Sequence, residues 1–152
     1  MELELRAMSP QELARYLDTA IEDYVGELIK AGRTRAEAEQ NSAENMLSSF
    51  ADGVPINGNE LFSVRRGDET VGVLWIAPRG GSHHWWIYDI ELEPQFRGQG
   101  LGRATMLLAE KAARERGATV LGLNVFGHNV TARGLYESLG YETTSLQMSK
   151  PL

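Results

Sequence analysis

Leu3 and Leu5 alternate with Glu2, Glu4 and Arg6, the two-residue period of a half-buried strand over 2–8. The period then changes. Ser9-Pro10-Gln11-Glu12 sets a hydroxyl, a proline and a carboxylate in the order of a capping box, and Leu13, Leu17, Ile21 and Val25 follow at helical spacing towards Gly32. Thr34-Arg35-Ala36-Glu37 repeats that capping logic and predicts a second helix ending near Phe50. Residues 52–59, with two Gly and one Pro, read as loop.

Sheet periodicity takes over from 61. Runs at 61–66 and 70–77 flank Gly67-Asp68-Glu69 and predict a hairpin, and 85–92 is an aromatic strand stopped by Pro94. Met106, Leu107, Ala109 and Ala113 mark one side of a helix over 102–116, which Gly117 ends. A strand at 120–126, a helix at 129–139 and a final strand at 141–148 complete the order βααβββαβαβ. That order predicts a mixed α/β (α+β mixed-sheet) fold containing a βαβ crossover at 85–126. At 152 residues the chain suits one domain spanning 1–152.

Composition narrows the partners. Residues 1–60 hold 5 basic and 12 acidic side chains, and the whole chain carries −6, which argues against a nucleic-acid partner because such proteins present a basic face. The opening MELELRAMSP lacks a basic stretch followed by an apolar run, and 71–77 is too short to span a bilayer; a soluble, cytoplasmic protein without a membrane partner is expected. There is no cysteine, so there is no disulfide framework, no thiolate zinc site and no covalent intermediate on sulfur. His83, His84 and His128 lack a carboxylate at ligand spacing, and no metal site is expected.

Arg97-Gly98-Gln99-Gly100-Leu101-Gly102 lies between a predicted strand and a predicted helix, with Arg103 following. Glycines let successive amides point one way, and the helix adds its positive end, which together suit phosphate oxygens. The loop is not a P-loop, because Leu101-Gly102 stand where Lys-Ser/Thr is needed. Nor is it a dinucleotide fingerprint, because Arg103 replaces the third glycine.

Residues 88–102, Tyr88-Asp89-Ile90-Glu91-Leu92-Glu93-Pro94-Gln95-Phe96-Arg97-Gly98-Gln99-Gly100-Leu101-Gly102, resemble the acetyl-CoA motif of the GCN5-related N-acetyltransferase (GNAT) family. Residues 124–141, from Asn124 through Asn129, Ala132, Leu135 and Tyr136 to Gly140-Tyr141, resemble its second motif. The resemblance implies the acyl-CoA N-acyltransferase fold with splayed central strands, and an enzyme that moves acetyl from acetyl-CoA to a primary amine of an acceptor, small molecule or peptide. It further implies that Arg97, Gly98, Gln99, Gly100, Leu101, Gly102 and Arg103 bind the CoA pyrophosphate. Ile90 and Leu92 would pair through their backbones with the pantetheine arm. Asn129 would touch the cofactor or cap its helix, and Tyr136 would sit beside the thioester sulfur.

Acetyl transfer needs a neutral amine, and an amine of pKa about 10.4 costs about 4.6 kcal/mol to deprotonate at pH 7. By strand alternation Asp89 and Glu91 share one face, with Tyr88, Ile90 and Leu92 on the other; these two carboxylates are the candidate bases, with His84 or water as alternatives. A glutamate that serves as base in some family members is replaced by Asn124. Tyr136 is the candidate acid for the leaving thiolate, and the Leu92 amide a candidate oxyanion donor. Trp85, Trp86 and Tyr88 form either an acceptor wall or buried packing. A non-catalytic CoA-binding module of the same fold is the alternative, and a homodimer through the final strand or the helices is possible.

Overall fold

The computed structural model describes residues 2–152. Strand β1 (Leu3–Ala7) leads to helices α1 (Pro10–Lys30) and α2 (Arg35–Ser49). Both capping boxes form: Ser9 Oγ accepts from the Glu12 amide at 3.1 Å while Glu12 Oε1 accepts from the Ser9 amide at 3.0 Å, and Thr34 and Glu37 reciprocate in the same way. Glu12 does a second job, accepting from Ser63 Oγ at 3.0 Å and tying the start of α1 to the sheet. Those hydrogen bonds to its ionised form hold its carboxyl below the ordinary range.

Two short strands, β2 (Phe50–Ala51) just before the 52–59 segment read as loop and β3 (Val54–Pro55) within it, pair as a small separate hairpin. The main sheet follows with β4 (Glu60–Arg66), β5 (Glu69–Pro78) and β6 (His84–Leu92), then helix α3 (Leu101–Glu115), β7 (Val120–Leu123) and helix α4 (Val130–Ser138). Its order is β1-β4-β5-β6-β7, antiparallel except for the parallel β6/β7 pair that the crossover through α3 requires. On one face Val64, Leu74, Ile76 and Ile87 pack against Met106, Ala109 and Ala113 of α3; on the other, Trp75 packs with Leu13 of α1 and Phe50. Arg116, at the end of α3, grips both carboxylate oxygens of Glu60 on β4.

Two further features depart from the sequence pattern. No strand forms at 141–148: the tail beyond α4 has no regular structure, and Leu146 and Met148 stay 76% and 91% exposed. Apart from Tyr141, whose hydroxyl donates to Glu110 of α3 at 3.0 Å, the segment is seated on no strand edge, and without ladder bonds its strand-like residues form no strand. The observed order is therefore βααβββββαβα, in which the extra short strands are β2 and β3 and the last strand is missing. The second departure is a bulge in β6. Trp75 pairs with Asp89 and Ile76 with Ile87, which leaves Tyr88 as an extra residue. The bulge shifts the phase of alternation, so Tyr88 joins Asp89 on the α1 side, stacked on Trp75 with centroids 5.2 Å apart, rather than sharing a face with Ile90 and Leu92.

Among the described residues no helix is long and apolar enough to cross a membrane.

Candidate active site

β6 and β7 pair only from His84/Val120 to Ile87/Leu123. Beyond Ile87 the two strands part, and the β7-facing backbone edge of β6 over 88–92 is left without a strand partner. A groove of about 1540 Å³ runs through this opening, lined by α1, α2, β6, the glycine loop, the 124–129 segment and α4.

At one end lies the glycine loop. Gly98 and Gly100 have φ of +75° and +78°, the left-handed region that penalises a Cβ. Gly100 is the N-cap of α3, and no side chain caps that terminus. The amides of Leu101, Gly102 and Arg103 thus have no partner within their helix and sit at its positive end. A Cβ on Gly102 would stand 3.3 Å from Leu135 Cδ2, so α3 and α4 close tightly behind the loop. Arg97 turns back, Nε donating to the Leu92 carbonyl at 3.1 Å with Nη2 3.5 Å from Glu91. Gln99 also turns back, to the Gln95 carbonyl, whereas Arg103 reaches α4 and donates to Ser138 Oγ at 2.6 Å. Asn129 stands at the N-cap of α4, but its side chain makes no capping bond and lines the groove instead.

At the middle of the groove the bulge presents Asp89. Tyr16 of α1 donates to its Oδ2 at 2.5 Å. Desolvation holds the Asp89 carboxyl above the ordinary aspartate range, opposed by the hydrogen bonds from Tyr16 and the Ile90 amide and assisted by the charge of Asp23. Tyr16 is pushed far up by desolvation and by Asp89 itself, so it is a permanent donor. Glu91 is also raised, by desolvation and then by Asp89 and Asp23, with Arg97 pulling the other way. Tyr136 of α4 lines the same groove; desolvation and then the Asp89 charge hold its phenol above its ordinary value, and it therefore stays protonated.

Of the residues singled out from sequence, the structure brings Asp89, Glu91, Ile90, Leu92, Arg97, Gly98, Gly100, Gly102, Arg103, Asn129 and Tyr136 to one groove. The three histidine side chains engage different partners: His83 is bonded to the Gly117 carbonyl, His84 lies by Trp86, and His128 is 2.6 Å from Glu27. Among the described residues no three His, Asp or Glu side chains gather as a metal site. Sequence reasoning missed Tyr16. It stands beside Leu17 of the apolar stripe of α1, with no motif around it, and only the fold shows its hydroxyl meeting a residue far along the chain.

Strands β6 and β7 parting after Ile87, with an uncapped helix and a glycine loop at the opening, form the arrangement that the resemblance to the acetyltransferases predicts. Residues 18–141 match the model of the acetyltransferase (GNAT) family, and the chain belongs to that family. Over their full lengths it is 33% identical to the N-acetyltransferase YycN of Bacillus subtilis (strain 168), across 156 aligned residues. It is 29% identical to YdgE of the same organism, covering all of this chain and 99% of that one. The crystal structure of YycN matches with a TM-score of 0.89 at 32% identity, covering 99% of this chain and 98% of that one. The protein is an N-acetyltransferase, and its family draws the acetyl group from acetyl-CoA.

Proposed function

We propose that the groove binds acetyl-CoA with its pyrophosphate on the amides of 98–103 and its pantetheine arm along the free edge of β6, and passes the acetyl group directly to a primary amine. The observation that carries this reading is the parting of β6 from β7 after Ile87, which opens an unpaired backbone edge between the glycine loop and the side chains of Asp89 and Tyr136. Arg97 and Arg103 add positive charge at the pyrophosphate end, and Ile90 and Leu92 supply main-chain groups to the arm.

In the transfer the amine loses a proton to Asp89, directly or through one water, and its nitrogen bonds to the thioester carbonyl carbon. The C–S bond breaks, the thiolate takes the proton of Tyr136, and the second proton that the nitrogen sheds as the amide forms passes through water to the resulting phenolate. A carboxyl poised above the usual aspartate range accepts a proton more readily than an ordinary one. Glu91, paired with Arg97 near the loop, assists by its charge. The Leu92 amide is a further candidate for the developing oxyanion. With no cysteine in the chain no acetyl intermediate forms on sulfur, and direct attack with both substrates bound together is the expected route.

The test is release of CoA thiol from acetyl-CoA across a panel of polyamines, aminoglycosides, amino acids and peptides. Thiol release with at least one amine, lost in Asp89→Asn, supports the reading. Tight CoA binding without release on any amine would instead identify a non-catalytic CoA-binding module of the same fold.

A further inference from the structure

Four cations line the groove: Lys30, Arg79, Arg97 and Arg103. Lys30 lies 3.4 Å from Glu27 and Arg97 3.5 Å from Glu91, so each already has a carboxylate. Arg103 has none, and it sits at the loop assigned to phosphate. Arg79 also has no carboxylate within ion-pair distance among the described residues, yet it sits at the opposite end of β6, away from the phosphates.

Arg79 is held in place. Its amide donates to the His84 carbonyl at 2.8 Å, and its guanidinium lies over the Trp86 ring, 4.0 Å from the centroid. Trp86 in turn is seated on Gly122 of β7, where any Cβ would come within 2.5 Å of the indole. A stacked guanidinium keeps its in-plane N–H groups free for a bidentate anion. The hydroxyl of Tyr24 feels the Arg79 charge, and it bonds Asn41 at 3.4 Å, so neutral polar groups border the same spot. Trp86 and Tyr88 share a face by alternation, and the bulge puts Asp89 there too. The bulge fits the three steps from Trp86 to Asp89 opposite the two from Ala77 to Trp75 on β5, about 7 Å of strand.

We propose that Arg79 is an acceptor-binding residue, and that the acceptor is an amine bearing a carboxylate several ångströms from its nucleophilic nitrogen. The carboxylate docks on the guanidinium stacked over Trp86, which leaves the amine at Asp89. Amino acids with the amine at the end of a side chain, ω-amino acids and short peptides with a free C-terminus fit this spacing; a pure polycation does not. This rests on the placement of the amine at Asp89 proposed above, and binding is therefore measured separately from turnover.

The probes are matched pairs, 6-aminohexanoate against its amide and triglycine against triglycine amide, titrated calorimetrically into the CoA-saturated protein and then assayed for thiol release with acetyl-CoA. In the native chain the free acid binds roughly tenfold or more tighter than its amide, as expected for hydrogen bonds to a charged group. Arg79→Gln removes that preference while still binding CoA, which shows that it has folded, and Arg79→Lys restores part of it. Equal binding of acid and amide by the native chain, or an undiminished preference in Arg79→Gln, overturns the proposal. Acid-selective binding with no thiol release on any probe supports the Arg79 site while contradicting the transfer reading.

Discussion

Tyr16, in the second turn of α1, donates a 2.5 Å hydrogen bond to Oδ2 of Asp89, the residue at the bulge of β6, across 73 positions of chain. The bond joins the N-terminal helical half of the molecule to the strand that parts from β7. It occupies Oδ2 of the carboxylate, so a residue outside the family motifs sets how the proposed base presents itself.

Tyr16→Phe removes a hydrogen bond that favours the ionised form of Asp89. The Asp89 carboxyl then rises further, and the acid limb of the kcat/KM profile moves to higher pH. The pH dependence of turnover with any accepted amine checks this. A merely structural Tyr16 would lower thermal stability and leave the limb in place.

Asp89→Asn separates activity from stability. Desolvation raises the folded carboxyl above 3.8, so between 3.8 and the folded value the native state holds a proton that the unfolded chain releases. The stability from that proton is fully present below 3.8 and is lost as pH rises through the folded value. Asparagine does not titrate. The variant therefore loses activity yet melts higher relative to the native protein at neutral pH than at pH 3.5, as calorimetric Tm across that range would show.

Tyr136→Phe should lower kcat by about a hundredfold or more, the usual contribution of a positioned acid. CoA affinity should change little, because the loop and the β6 edge are untouched. Stopped-time assays with equilibrium titration of CoA separate the two quantities, and equal turnover in both proteins would remove the acid role.

Gly100→Ala puts a Cβ at φ +78°, a backbone region that costs other residues about 1–2 kcal/mol. Relief of that strain turns the amides that begin α3 out of line. The expected result is a modestly lower Tm with a much larger loss in CoA affinity, read by thermal melts with and without CoA.

Most of the framework is legible in the sequence because it is local. Ser9 with Glu12 and Thr34 with Glu37 announce the helices within four residues, and the glycines at 98 and 100 announce the loop. What escapes is whatever depends on long-range pairing. The bulge that turns Tyr88 to the α1 side arises from the register with Trp75 on β5, which no count along β6 displays. The stretch at 141–148 shows strand-like residues, but a strand also needs a bonded edge, and the tail finds none. Asp89 and Glu91 were visible as carboxylates two apart; only packing distinguishes the one held by Tyr16 from the one shared with Arg97.

Amide hydrogen exchange of residues 97–103, with and without saturating CoA, tests the account most directly. If main-chain nitrogens at the head of α3 hold the pyrophosphate, exchange there slows strongly on CoA addition, along with that of 88–92. Unchanged exchange in both segments, at CoA concentrations that do bind the protein, would contradict it.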